Sequence, residues 1–288
     1  MLRRLVALVP VAFLASGCMC AWWGDGGHDP SPHVRAQPTL FERSATSADG
    51  TPIHALVGGE GDLALVFVHG WLGSAEWWRP VMQRLCGRFR VVAVDLAGHG
   101  LSGREREDWS VPRFADDVVS VLDELDLRRV VLVAQGMSGA VAAEVARRLG
   151  PRAEGLVLAG GRDDLAWTPT AEEWTLLPER LRDERFAPPF VGTRSDRAPS
   201  PAVARRFVES ASIVEPSSAH AMLLRAREFD LAAARSSLAL PVRVLHPGVH
   251  GASGGVITVR PWGERSFYAE DPWKNPLCFV EAGTVYAG

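Results

Sequence analysis

From residue 39 onward, short apolar runs alternate along the chain with longer amphipathic segments. Each run has the length of a strand, and an almost wholly apolar run is typical of a strand buried on both faces. The runs are Leu63–Val68, Val91–Leu96, Val130–Val133 and Gly155–Leu158. Between them, apolar residues recur at helical spacing, most clearly over Val111–Leu127. This alternation predicts a doubly wound, mostly parallel α/β sheet.

Two local signals place the elements around the first buried strand. Phe41–Ala48 and Pro52–Val57 flank the turn dipeptide Asp49-Gly50, which predicts an antiparallel hairpin. Ser74 is a residue type that caps helices, so a helix is predicted from Ser74 to about Leu85.

The alternation is interrupted between about residues 162 and 239. This segment carries several prolines and two stretches with helical character, Ala202–Ser212 and Ser218–Ser236. Strand-like runs then return at Pro241–Leu245 and, as the last strand, at Leu277–Val280. We therefore predict one domain over 41–288, with a helical cap inserted between strands at about 162–239.

The first eighteen residues have the composition of an export signal. Arg3 and Arg4 precede the apolar run Leu5–Leu14, which is too short to span a bilayer as a helix. Small residues then lead directly to Cys18, and this arrangement resembles the lipobox of bacterial lipoproteins. The resemblance implies cleavage before Cys18, lipidation of its thiol and anchoring to the cell membrane or outer membrane. A cleaved secretory signal with an incidental cysteine is the alternative.

Residues 19–40 are rich in glycine and proline without periodicity, which predicts a flexible tether between anchor and domain. The formal net charge of −3 and the absence of a basic stripe argue against a nucleic-acid partner. No residue spacing indicates a metal site or a cofactor. Cys86 and Cys278 are the cysteines well inside the domain, and the sequence leaves open whether they pair.

Three predicted strand ends carry motifs that resemble the α/β-hydrolase family. Val66–Trp71 (Val-Phe-Val-His-Gly-Trp) is similar to the family's oxyanion strand and loop. Asp95–Ser102 is similar to its Asp-x-x-Gly-His-Gly-x-Ser loop, and Val131–Gly139 stands where its nucleophile elbow belongs. The resemblance covers about Leu40 to Gly283 and implies an α/β-hydrolase sheet whose ligand site lies at the carboxyl ends of the strands.

The elbow departs from the family's Gly-x-Ser-x-Gly pattern. Laid on that pattern without a gap, Ala134 replaces the first glycine, Gly136 the serine and Ser138 the second glycine. Glycine can adopt the positive φ of such a turn, but it has no side chain with which to attack a carbonyl. In this register Ser138 points away from the cleft. A register shifted by two residues instead makes Ser138 the nucleophile, and this alternative stays open.

The other two triad positions also differ from the family's pattern. No carboxylate follows the strand after the cap, although Asp163 and Asp164 at the preceding strand end are candidate substitutes. Thr284 stands where the family has its catalytic histidine, and threonine is not a base near neutral pH. His250 is a candidate base, and His246 is interpreted as a structural residue.

These changes predict a lipid-anchored pseudo-hydrolase with a binding or scaffold role for a small-molecule or protein ligand. By position, the backbone N–H groups of Trp71 and Met137 correspond to the family's oxyanion donors, and they need no particular side chain to hold a carboxylate or carbonyl. An esterase-like or lipase-like hydrolase that uses Ser138 is the main alternative. An enzyme of different chemistry, such as a cofactor-free lyase, is the third.

Overall fold

A computed structural model describes residues 39–159, 176, 180, 201–245, 258–259, 265–270 and 276–280. The described strands of the main sheet lie in the order β1-β2-β4-β3-β5-β6-β7, and β3 to β7 are parallel to one another. Their bounds are β1 Phe41–Thr46, β2 Pro52–Gly58, β3 Leu63–Val68, β4 Arg90–Val94, β5 Arg129–Gln135, β6 Ala153–Ala159 and β7 Val242–Leu245. The doubly wound, mostly parallel sheet is confirmed.

The described helices follow the strands as a doubly wound fold requires. Their bounds are α1 Arg79–Leu85, α2 Val111–Glu124, α3 Ser138–Leu149, α4 Pro201–Ile213, α5 Pro216–Glu228 and α6 Leu231–Ser236. The last three lie between β6 and β7, in the segment predicted as a cap. None of these described helices has the length and apolar character that crossing a bilayer requires.

The sheet separates two layers of core. Leu65 and Phe67 of β3 face one layer, where the ring of Phe67 lies 5.0 Å from that of Trp78, centroid to centroid. Their neighbours Val66 and Val68 face the other layer, which α2, α3 and the cap helices share. The central strands are therefore buried on both faces, as their continuous apolar sequences predict.

A buried ion pair joins the loop between β4 and α2 to α2 itself. Arg106 and Asp117 are almost fully buried, and the guanidinium lies 2.5 Å from the carboxylate. The carboxylate also accepts hydrogen bonds from the Ser47 hydroxyl at 2.7 Å and the Ala97 N–H at 3.1 Å. Burial raises the pKa of Asp117, although these donors oppose the shift.

The predicted helix from Ser74 forms with a different start. Residues Ala75–Trp78 make a 3-10 turn, and the α-helix begins only at Arg79, with Pro80 in its first turn. Ser74 makes no side-chain capping bond; the Ala75 N–H instead donates to the carboxylate of Asp95 at 2.6 Å. A residue distant in sequence therefore supplies the cap, which local propensity does not reveal.

The predicted helix over 218–236 is two helices. The chain leaves helical geometry at Phe229, and the Asp230 carboxylate then caps α6 by accepting from the Ala233 N–H at 2.9 Å. Aspartate is among the preferred N-cap residues, so the break has a sequence signal that the longer interpretation overlooked.

The run Leu277–Val280 forms the last described strand, and this strand lies in a second, smaller sheet. Strand β10, Pro276–Val280, pairs antiparallel with β9, Arg265–Glu270, in a second sheet that also contains β8, Thr258–Val259. Residues 271–275 alone connect β9 to β10. A connection this short forms a hairpin, because parallel neighbours need a crossover of a dozen or more residues.

Cys86 is a free, buried thiol, and its Sγ donates to the Gln83 carbonyl at 3.5 Å. Burial raises the pKa of this thiol. Cys86 therefore forms no disulfide.

Candidate functional site

Three loops meet where the central parallel strands end. Val68, the last residue of β3, pairs with Val94 at the end of β4 and with Ala134 near the end of β5. The loops that follow these strands therefore start at one level of the sheet. They are Gly70–Leu72, Asp95–Ser102 and the Gly136–Met137 turn into α3. Ligands of open α/β sheets bind at such strand ends.

Gly136 forms the turn between β5 and α3. Its φ is +54°, a conformation that strains residues with a Cβ. The Gly136 N–H donates to the Ala159 carbonyl at 3.2 Å, and its carbonyl accepts from the Gly139 N–H at 3.0 Å. A Cβ built on Gly136 meets no heavy atom of the described residues within 4 Å. Among these residues the turn therefore faces open space, and it presents no side chain there.

Ser138 is fully buried at the start of α3. Its hydroxyl donates to the backbone carbonyl of His69, just beyond the end of β3. The hydroxyl is thus directed at the neighbouring loop. Attack on a substrate needs this hydroxyl to be free and to contact a base, which is not the arrangement seen.

Two backbone donors flank the turn. Within the part of the chain that the structure describes, no acceptor is bonded to the N–H of Trp71 or to that of Met137. The next N–H, that of Leu72, donates to Nε2 of His99 at 3.3 Å. Leu72 has a φ of +61°, which is uncommon for a bulky residue, so this bond helps to fix the loop beside Trp71.

The imidazoles of His69 and His99 hold the loops in shape. Each ring donates through Nδ1 to a nearby carbonyl, that of Gly70 at 2.8 Å and that of Ala97 at 3.1 Å. Each accepts a backbone N–H at Nε2. Burial lowers the pKa of His69; burial together with the nearby His69 lowers the pKa of His99 to about 3. Both rings are neutral at physiological pH, and their nitrogens are already bonded.

Asp95 is the centre of the second loop. Its carboxylate accepts from His54 Nδ1 at 2.8 Å, from the Ala75 N–H at 2.6 Å and from the Leu101 N–H at 3.0 Å. Burial opposes ionisation, but these donors and the nearby His69 lower the pKa of Asp95 below its usual value. The Asp-x-x-Gly-His-Gly motif identifies Asp95 in the sequence, whereas no motif identifies its partner His54.

The comparison with known proteins agrees with this arrangement of loops. A model of the alpha/beta hydrolase family matches residues 65–285. The chain belongs to the α/β-hydrolase family.

Relatives of this α/β-hydrolase match over shorter segments. An uncharacterized protein of Mycobacterium tuberculosis is 36% identical over 100 residues, which are 34% of this chain and 29% of the relative. A non-heme chloroperoxidase of Kitasatospora aureofaciens is 35% identical over 111 residues, or 38% of this chain and 39% of the relative. The match thus spans well under half of these curated relatives. The esterase RhEst1 from Rhodococcus has a similar structure, with a TM-score of 0.60 and 25% identity over 71% of this chain and 80% of the esterase.

The cap helices of this α/β-hydrolase are bonded to the site loops through two indole groups. Trp71 Nε1 donates to the Ala219 carbonyl of α5 at 3.1 Å. Trp77 Nε1 donates to the Ser210 hydroxyl of α4 at 2.9 Å, and its ring lies 5.8 Å from that of Phe207. The cap therefore lies over the loop that carries the Trp71 N–H.

One imidazole of the cap has no hydrogen bond to the described residues. His220 is half-buried on α5, directly after the carbonyl that holds Trp71. Its place beside the Trp71 contact makes it the described histidine to replace first in tests of the cleft.

Several predicted residues lie outside the described part of the chain. They are the lipidation site Cys18, the candidate acids Asp163 and Asp164, His246, the candidate base His250 and Thr284. Their roles stay predictions. Among the described residues, no cluster of three or more His, Cys, Asp or Glu has a geometry that would hold a metal ion.

Proposed function

We propose that this α/β-hydrolase relative is a non-catalytic binding protein, anchored to a membrane by lipid at Cys18. The observation that carries the proposal is Gly136, which stands at the positive-φ turn between β5 and α3 without a side chain. A serine hydrolase presents its nucleophile from such a turn, and glycine has no group to present.

The neighbouring groups support the same function. Ser138 is buried and donates to the His69 carbonyl, so its hydroxyl is not free to attack. His69 and His99 have both ring nitrogens bonded. General-base catalysis needs an imidazole within hydrogen-bond reach of the nucleophile. A hydrolase that uses Ser138 has to break its bond to His69 first, and the loop-shaping histidines cannot act as base without losing their own bonds.

The cleft retains two groups that bind oxygen. The N–H groups of Trp71 and Met137 lie on the two loops that flank Gly136 and donate to no described acceptor. Backbone donors of this kind bind carbonyl or carboxylate oxygens when water is excluded, and the bond to a charged oxygen is the stronger. The ligand is accordingly a small molecule, or a protein segment, that offers a carboxylate or a carbonyl.

The lipid anchor completes the proposal. The Arg3-Arg4 start, the apolar run and the small residues before Cys18 resemble a bacterial lipoprotein signal. Two or three acyl chains hold a protein stably on a membrane, since each buried methylene contributes about 0.8 kcal/mol. Mass spectrometry of the mature protein should show an acylated N-terminal cysteine, and Cys18→Ser should be released or left unprocessed. An unmodified mature N-terminus removes the anchor from the proposal.

Ester turnover tests the loss of catalysis. Purified protein and its Ser138→Ala variant are assayed with 4-nitrophenyl acetate, butyrate and octanoate. We expect both proteins to hydrolyse each ester at the same rate, close to that of buffer with an inactive protein. Saturable turnover by the wild type that Ser138→Ala abolishes establishes the esterase alternative instead.

Acetate and butyrate binding tests the retained donors. In 15N-labelled protein, titration with either anion should shift the backbone amide signals of Trp71 and Met137 together, with a common saturation curve. The amide of Gly150 reports non-specific effects, because it also has a positive φ but ends α3 at the opposite end of the helix. Equal shifts at all three amides, or none at Trp71 and Met137, contradict binding at this cleft.

A further inference from the structure

The hydrogen bond of Ser138 joins the two loops that carry the free donors. The paired part of β3 and β5 ends at Val68 and Ala134. Beyond this pair, β3 continues into the loop that carries Trp71, and β5 continues into the turn that carries Met137. Among the described residues, the bond from the Ser138 hydroxyl to the His69 carbonyl is the one hydrogen bond that links these two loops.

The bond lies close in sequence to both free N–H groups. His69 is two residues before Trp71, and Ser138 is directly after Met137. The bond therefore fixes the distance between the Trp71 and Met137 N–H groups. Ser138 and His69 are fully buried, so water does not compete for the hydroxyl.

We propose that Ser138 is a positioning residue, whose hydroxyl holds the Trp71 and Met137 N–H groups at the spacing that binds one ligand oxygen. A glycine at this position, as in the family's elbow pattern, provides no such bond. The ligand oxygen that accepts a hydrogen bond from both N–H groups is one oxygen of a carboxylate or the oxygen of a carbonyl. This inference rests on the proposed binding function and gives Ser138 a role in it.

Hydrogen exchange tests the positioning without a ligand. Three amides in or next to the two loops donate hydrogen bonds: Leu72 to Nε2 of His99, Gly73 to the Gly70 carbonyl, and Gly139 to the Gly136 carbonyl. In Ser138→Ala, we expect their exchange to be at least tenfold faster than in the wild type, while exchange in α2 is unchanged. Ser138→Gly should behave likewise, and it covers the case in which one variant folds poorly.

The control variant Ser120→Ala distinguishes loss of the positioning bond from loss of a serine hydroxyl elsewhere. Ser120 donates to the Asp116 carbonyl of α2 at 2.8 Å, so Ser120→Ala removes the same type of bond away from the site. We expect Ser120→Ala to leave exchange at Leu72, Gly73 and Gly139 unchanged. Loop exchange that is the same in the wild type and in both Ser138 variants overturns the proposal.

Acetate titration then tests the consequence for binding. We expect Ser138→Ala to weaken acetate binding at Trp71 and Met137 at least fivefold, and Ser120→Ala to leave it unchanged. Unaltered affinity in Ser138→Ala overturns the positioning role. If the wild type gives no acetate response but the exchange difference is present, the proposed ligand class is wrong while Ser138 still fixes the two loops.

Discussion

A serine introduced at position 136 tests whether the protein lacks only a nucleophile or also the base that a nucleophile needs. In Gly136→Ser the new Cβ meets no heavy atom within 4 Å in the described part of the chain, so the substitution causes no steric overlap there. Its cost comes from the backbone, because a φ of +54° strains a residue with a Cβ. Residues held in such regions cost of order 1–3 kcal/mol. We expect the variant to fold, with a free energy of unfolding about 1–3 kcal/mol below that of the wild type.

Activity should not return in this variant. The introduced hydroxyl would need an imidazole to accept its proton, and His69 and His99 are neutral rings with both nitrogens bonded. We therefore expect its hydrolysis of 4-nitrophenyl butyrate to equal that of Gly136→Ala, which carries the same backbone strain without a hydroxyl. Urea unfolding gives the stability of each variant, and initial rates give the turnover.

Two results would refute this reasoning. A loss well above about 3 kcal/mol in both variants would mean that the turn is not open as described. A rate for Gly136→Ser at least tenfold above that of Gly136→Ala would mean that a base lies within reach. In that case His220→Ala, made in the Gly136→Ser background, would show whether the cap supplies it.

Three further predictions concern the framework of the site. Arg106→Met leaves Asp117 buried without its partner and should lower the free energy of unfolding in urea by about 3–5 kcal/mol. The control Arg113→Met removes exposed ion pairs and should lower it by less than about 1 kcal/mol. Equal losses in the two variants would contradict the burial argument. The folded-state pKa of His99 is about 3, below its usual 6.5, so its contribution to stability is present above pH 6.5 and is lost as the pH falls toward 3. The free energy of unfolding should therefore fall less steeply between pH 6 and pH 4 in His99→Gln than in the wild type, with a slope smaller by roughly 1.4 kcal/mol per pH unit. The same slope in both proteins would refute this. Trp77→Phe removes the indole bond to α4 and should speed hydrogen exchange over 201–213 but not in α2; unaltered exchange would show that the bond does not hold the cap.

The fold was predictable because its signals are local. The continuous apolar runs became the central strands, and the Asp49-Gly50 turn became the β1–β2 hairpin. Strand β9 lacked such a signal, because its sequence Arg-Ser-Phe-Tyr-Ala-Glu neither alternates polar and apolar residues nor forms a continuous apolar run. Once β9 is present, the short connection to β10 determines antiparallel pairing in a separate sheet.

The site was predictable only as a set of positions. The elbow pattern places Gly136 at the turn, and a positive φ is what glycine permits there. No sequence signal pairs the Ser138 hydroxyl with the His69 carbonyl, or His54 with Asp95, because those partners are 69 and 41 residues apart. Such contacts depend on how strands far apart in the chain become neighbours in the sheet.

Fluorophosphonate labelling tests the central claim most directly. The purified protein and its Ser138→Ala variant are incubated with a fluorophosphonate probe, beside a known serine hydrolase, and labelled peptides are identified by mass spectrometry. We expect no labelled serine in either protein, because no described serine is both free and presented at the turn. A label on Ser138 of the wild type that is absent from Ser138→Ala would contradict the account and identify an active hydrolase.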